Sequence, residues 1–169
     1  DSTEKNLVVW EKVVTEDVLH YNVYRESSVK GDFQLIASVP VDELSQYVDS
    51  VADPAIRAWR YRLSVVDACG NESDLSDHHK TMHLTMNFGP DRVNLLWDHY
   101  EGDFEILQYK IRRYDAVNGL IPLEDIASNY TSRTDFNPPL EDLTYYVEDA
   151  HPTSCTATEN KAATHNSSR

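Results

Sequence analysis

Three histidines, His78, His79 and His83, fall within one short segment, and imidazoles so grouped invite metal or acid–base chemistry. Read as an extended strand, the segment puts His79 and His83 on one face about 13 Å apart. Zinc–nitrogen bonds of about 2 Å do not bridge that gap, so the segment reads as a solvated strand edge. Carboxylates are plentiful but scattered, Asp42, Asp49, Asp77, Glu101, Asp142 and Asp149 among them. General acid–base work wants two of them at a set separation in a cleft. Scattering over turns instead suits solubility and protection of sheet edges. A weak calcium loop is the alternative reading, without an Asp-x-Asp-x-Asp-Gly run to support it. The chain also has no Gly-x-Ser-x-Gly, phosphate-cradling glycine loop or His-Glu-x-x-His. We therefore expect no catalytic residue, no metal and no cofactor, and read the chain as something other than an enzyme.

Charge narrows the partners. Fifteen Lys and Arg against twenty-nine Asp and Glu give a net charge of −14. Such a surface repels phosphate backbones and anionic headgroups, which argues against nucleic acid and membrane surfaces. No run approaches the eighteen apolar residues that a spanning helix needs, so direct membrane insertion is not expected. The opening Asp1-Ser2-Thr3 runs almost at once into an apolar strand, as a piece of a longer polypeptide would, and further domains are expected.

The elements that carry these residues come twice. Trp10 and Trp97 stand 87 residues apart, Tyr21 and Tyr109 stand 88 apart, and Ile36-Ala37-Ser38 and Ile126-Ala127-Ser128 stand 90 apart. Tyr61 and Tyr145 follow at 84, and Cys69 and Cys155 at 86. A period this long means two copies of a domain, not a solenoid of small units. Within each copy, apolar and polar residues alternate: Val93, Leu95 and Trp97 against Asn94, Leu96 and Asp98, and Trp59, Tyr61, Leu63 and Val65 against Arg60, Arg62 and Ser64. Asp53-Pro54, Gly89-Pro90 and Asn137-Pro138-Pro139 break the runs. Several short strands per copy, with no sustained helical stripe, describe an all-β chain of two tandem β-sandwiches.

The residues also resemble a known family. Trp10 on an early strand, the Tyr21–Val23 strand, and the run from Tyr61 to Asp67 leading into Gly70–Ser73 are similar to fibronectin type III domains. The run Asp67–Ser73 and the following His79–Leu84 also look like tandem modules of secreted bacterial surface proteins. The resemblance implies two fibronectin type III-like, immunoglobulin-like modules, residues 1–87 and 88–169, with the boundary near Phe88. It makes Trp10 and Trp97 core residues. Tyr61 and Tyr145 become corner tyrosines bonded to upstream backbone. It leaves the first copy without its usual first strand and little room for one in the second, and makes 156–169 a disordered or incomplete last strand. In such a tandem Cys69 and Cys155 sit a domain apart, beyond the roughly 7 Å that a disulfide allows. Free thiols are expected, with an intermolecular bond as the alternative.

Function follows from the resemblance as expectation. The chain would be a structural or interaction module of an extracellular or cell-surface protein, spacing its neighbours or binding a protein partner. The rival is a carbohydrate-binding appendage, in which Tyr24 and Tyr114, set on equivalent faces, would stack on polysaccharide. Asn71-Glu72-Ser73, Asn129-Tyr130-Thr131 and Asn166-Ser167-Ser168 are formal glycosylation sequons. Trp10→Ala or Trp97→Ala is expected to cost its own module about 3–5 kcal/mol, measured by amide exchange in the affected copy. Unchanged exchange there would remove that tryptophan from the core.

Overall fold

The computed structural model describes residues 4–13, 17–102, 105–140, 142–149 and the pair Ser167–Ser168. The first half contains β1 (Asn6–Val9), β2 (Val18–Glu26), β3 (Phe33–Pro40), β4 (Gln46–Asp49), β5 (Arg60–Asp67) and β6 (His79–Lys80). The second contains β7 (Leu84–Gly89), β8 (Arg92–Trp97), β9 (Gln108–Asp115), β10 (Gly119–Ala127), β11 (Ser132–Phe136), β12 (Thr144–Asp149) and β13 (Ser167–Ser168). All strand pairs are antiparallel, and no helix occurs among the described residues.

Each half is a sandwich of two sheets. The first packs β1–β4 against β3–β2–β5–β6, and the second packs β11–β8–β7 against β10–β9–β12–β13. Inward residues of facing sheets meet because side chains alternate along a strand. Trp10, Tyr21, Val23, Val39 and Tyr61 form one core; Leu84, Leu95, Trp97, Tyr109, Ile111, Tyr145 and Val147 form most of the other. Trp10 meets Tyr21 at 5.6 Å between ring centroids, and Trp97 meets Tyr109 at 5.7 Å.

The register refines the repeat. Ile36 is the extra residue of a bulge in β3, and Leu123 is the extra residue in β10, each half-buried against its core. Ile36 therefore matches Leu123, and Ile126 matches Val39 opposite the paired tyrosines, so the spacing of 90 aligned the wrong residues. The second copy also has the first strand for which little room was expected. Pro90 and Asp91 alone turn the chain, with Asp91 at φ 53°, so β7 and β8 both fit before Trp97. Phe88 lies inside β7, and Met82 already belongs to the second core, so the strand topology divides the chain earlier than a boundary at Phe88. Of residues 156–169, only Ser167 and Ser168 are described, as the short strand β13 on β12.

The tyrosines that open β5 and β12 bond carboxylates, not backbone. Tyr61 donates to Asp49 at 3.0 Å and Tyr145 to Asp135 at 2.8 Å. The cause is an arginine on the inner face of the neighbouring strand, largely withdrawn from water, which needs a counter-ion there. Arg25 lies 2.8 Å from Asp49, and Arg113 lies 2.7 Å from Asp135. Burial would raise the Asp49 carboxyl, but Arg25, the Ala52 N–H and the Tyr61 hydroxyl outweigh it and hold it below its ordinary value. Burial, with the adjacent carboxylate, pushes both tyrosine hydroxyls upward.

Beyond β5 the edge is completed by hydroxyl groups. Ser73, Ser76 and Thr81 each give a backbone N–H to β5 or its approach, at the carbonyls of Val65, Leu63 and Trp59. The N–H of each of those residues returns a bond to the corresponding hydroxyl, at 2.9–3.0 Å. Because Thr81 is held to Trp59 in this way, β6 is only two residues long, and His79 and His83 do not share a strand.

Tyr61→Phe removes a hydroxyl that accepts from Asn6 and donates to Asp49, and is expected to cost about 1–3 kcal/mol. Asp49→Ala strands the Arg25 guanidinium and is expected to cost about 3–5 kcal/mol. Amide exchange in β5, with β12 as internal control, reads both; equal losses in the two variants would contradict the ion-pair account.

Candidate functional site

The densest polar cluster joins the two sandwiches. Arg60 leaves the start of β5 and meets Glu101, which follows β8, through Nε at 3.1 Å and a terminal nitrogen at 3.2 Å. The same carboxylate receives Lys80 Nζ at 3.2 Å and faces His78 Nε2 at 2.7 Å. The backbone closes the contact, since the Lys80 N–H donates to the Glu101 carbonyl at 2.7 Å. Arg60 also holds Glu26 at 3.0 Å, and Lys80 approaches Asp98 at 3.6 Å. His79 Nδ1 meets the Tyr100 hydroxyl, and His83 Nε2 reaches the Ala55 carbonyl at 3.0 Å. Tyr100 folds back over Gly102, where any Cβ would collide with its ring.

Local structure explains the convergence. Thr81, tied to Trp59, presses the 78–80 segment against the start of β5, so His78 and Lys80 emerge beside Arg60. Glu101 arrives from the opposite module at the end of the β8 strand. Hydrogen bonding by Arg60, helped by His78 and Lys80, pulls its carboxyl down to about 2. An open cleft of about 860 Å³ runs beside this contact, lined by Asp77, His78, His99, Tyr100, Glu101 and Tyr109 among others. Among its lining residues, His78 meets Glu101 and His99 lies 3.4 Å from the Tyr109 hydroxyl. No grouping of three or more His, Cys, Asp or Glu suited to a metal occurs among the described residues.

The residues singled out from the sequence lie elsewhere. Trp10, Trp97, Tyr61 and Tyr145 are buried in the two cores. Tyr24 is half-buried on the outer face of β2, where its hydroxyl donates to Glu72 at 2.6 Å. Glu72 also takes bonds from Asn22 and Ser64, and the Ser64 hydroxyl, then Tyr24 and Asn22, lower its carboxyl to about 2. Tyr114 is 46% exposed on the outer face of β9. The two tyrosines occupy corresponding outer faces of separate sheets, but not matching positions: Tyr24 aligns with Arg112, because Arg25 and Arg113 both pair with the corner tyrosines. They are not brought together into one site. Cys69 is exposed and free, while Cys155 lies outside the described residues. Read from the sequence, His78 and His79 marked a solvated edge; the structure makes them part of the junction. The sequence offered one signal, three histidines with Lys80 among them close to where the two repeats meet.

No family model and no curated protein sequence matches the chain. Among solved structures, a two-domain fibronectin type III segment from chicken tenascin is similar at 14% identity, covering 84% of this chain and 80% of that one, with a TM-score of 0.31. What decides the fold is the strand order, three and four strands to a sandwich in the second copy and the same order without its first strand in the first. The fold is a tandem of fibronectin type III-like sandwiches.

Glu101→Ala is expected to free the fibronectin type III-like modules from their fixed relation while leaving each folded. Partly exposed pairs are worth only about 0.2–1 kcal/mol apiece, so neither module should lose much stability. Residual dipolar couplings read the difference: one alignment tensor fits both modules in the parent, two in the variant. Because the Glu101 carboxyl is lowered from 4.5 to about 2, its contribution is complete above the ordinary value and fades as pH falls towards about 2. A single tensor in the alanine variant at neutral pH would discount the cluster as the restraint.

Proposed function

We propose that this chain is a non-catalytic spacing module of an extracellular or cell-surface polypeptide, holding what flanks it at a set orientation and offering a face to a protein partner. The observation that carries this reading is the Glu101 cluster, in which three cationic or imidazole side chains of one sandwich converge on one carboxylate of the other. A junction that served only as a tether would have no use for such a restraint, because a few flexible residues suffice to join two domains. The acidic surface fits the same role, since net charge of one sign keeps a module soluble and discourages casual association.

Carbohydrate binding is the second reading, favoured by Tyr114, exposed on the outer face of β9 with Leu120 opposite it. Exposed aromatic rings of this kind stack on sugar faces.

A pair of fluorophores placed at Ser28 in the first module and Asn118 in the second tests the spacer directly. Single-molecule energy transfer is expected to give one narrow distance distribution. A broad distribution in the parent protein would remove the spacer reading. Saturable polysaccharide binding that Tyr114→Ala abolishes would install the second reading instead.

A further inference from the structure

The corresponding hairpins β2–β3 and β9–β10 both turn through a glycine, but the residue before it differs. In the first turn Lys30 precedes Gly31, at φ 82°, and in the second Asn118 precedes Gly119, at φ 69°. The positive φ calls for glycine at both places. Asn118-Gly119 is the only Asn-Gly step in the chain. Such a step can react with itself, because glycine has no side chain to obstruct the approach. The Gly119 nitrogen attacks the carboxamide carbon of Asn118; the N–C bond forms, the bond to Nδ2 breaks, and ammonia leaves with the displaced proton. Water then opens the cyclic imide at either carbonyl, leaving aspartate or isoaspartate.

In the closed hairpin the reacting group is tied down. Asp115 is fully buried. Its Oδ1 accepts the Asn118 N–H at 2.6 Å, Asn118 Nδ2 at 2.9 Å and the Val117 N–H at 3.2 Å. The nitrogen that must leave is therefore the one that is bound. Its bond to the carboxylate holds the side chain against the rotation that attack requires, and pushes electron density onto the carbon that must accept the nucleophile. Conversion turns this support into conflict. Either product sets a carboxylate where a donor stood, facing the carboxylate of Asp115. The cation beside Asp115 is Arg113 at 3.6 Å, which already holds Asp135 at 2.7 Å. Isoaspartate also lengthens the main chain by a methylene, directly before the Gly119–Asp115 pair that opens the ladder.

We propose that Asn118 is a guarded deamidation site, kept intact by Asp115 while the β9–β10 hairpin is closed and, once converted in an opened chain, preventing the hairpin from closing as before. Water is the reagent, and the reaction takes no enzyme or cofactor. Its effect falls on β10, which among the described residues is paired on one side only, by β9. A strand held on one side opens before the centre of a sheet does. Because Leu120 of β10 stands opposite Tyr114, conversion loosens the outer face on which that tyrosine is displayed. The β2–β3 hairpin has no such step and serves as internal control. None of the junction residues takes part, so the proposal stands apart from the spacer reading.

The test keeps the full chain in mildly alkaline buffer, one sample native and one unfolded in guanidinium chloride, and follows conversion at Asn118 by peptide mass spectrometry. Folding is expected to slow conversion at least tenfold. Asp115→Ala should lose most of that protection, and Asp115→Asn, which keeps an acceptor oxygen, should retain it. Equal rates in the native and unfolded parent overturn the proposal, as does an Asp115→Ala chain protected as well as the parent. The consequence is read on converted chain, refolded and separated by its added charge. Amide exchange in β10 is expected to be at least tenfold faster than in the parent, with β2 unchanged. Asn118→Asp, which brings the charge without the methylene, should speed β10 to a smaller degree. Unchanged exchange in β10 of the converted chain overturns the proposal, and so does an equal rise in β2, which would make the damage a general loss of folding.

Discussion

An arginine on the inner face of a β-sandwich is a costly thing to bury, and both modules are arranged around one. Arg25 and Arg113 each find a carboxylate on the opposing sheet and share it with the tyrosine of the adjacent strand. The triad therefore ties the two sheets together at one end: β2 and β5 to β4 in the first copy, β9 and β12 to β11 in the second. In the first module Asn6 extends the tie to β1 by donating to the Tyr61 hydroxyl at 2.9 Å. Removing the carboxylate would leave a largely buried guanidinium without its counter-ion, whereas removing the tyrosine leaves the ion pair in place. Apolar packing around Trp10 and Trp97 supplies the bulk of cohesion, being non-directional; the triads supply the register between sheets.

The junction works by a different balance. Its groups are half-exposed, so no single pair contributes much to stability. Their number and convergence matter instead. Three donors from one body aimed at one carboxylate of the other leave few relative orientations in which all are satisfied, and the Lys80–Glu101 backbone bond removes more. Weak interactions thus set geometry without adding greatly to folding energy. The hydroxyl-laced edge beside β5 is what makes this work, because it holds the approach to β6 tightly enough to aim His78 and Lys80.

Sequence alone determined the large-scale plan. Alternating polarity, the turn residues and a long-period repeat of tryptophan and tyrosine are local signals, and each reports which face of a strand is buried. They suffice for two all-β sandwiches, and the resemblance to fibronectin type III domains added Trp10, Trp97, Tyr61 and Tyr145 as their inner residues. The plan blurred where a local signal has two readings: Gly89-Pro90 marked a break, yet the two-residue turn at Pro90-Asp91 left space for a strand on each side. Bulges at Ile36 and Leu123 shifted the true alignment away from the look-alike Ile-Ala-Ser runs, and a bulge leaves no fixed mark in sequence.

The tertiary structure alone decided the polar contacts. Arg25 and Asp49 are 24 residues apart, and Arg60 and Glu101 are 41 apart. In the chain these are ordinary charged residues among many others, and nothing in their spacing singles them out. Which carboxylate meets which cation depends on how sheets stack and how one module abuts the next, and those are distances that only the folded chain creates.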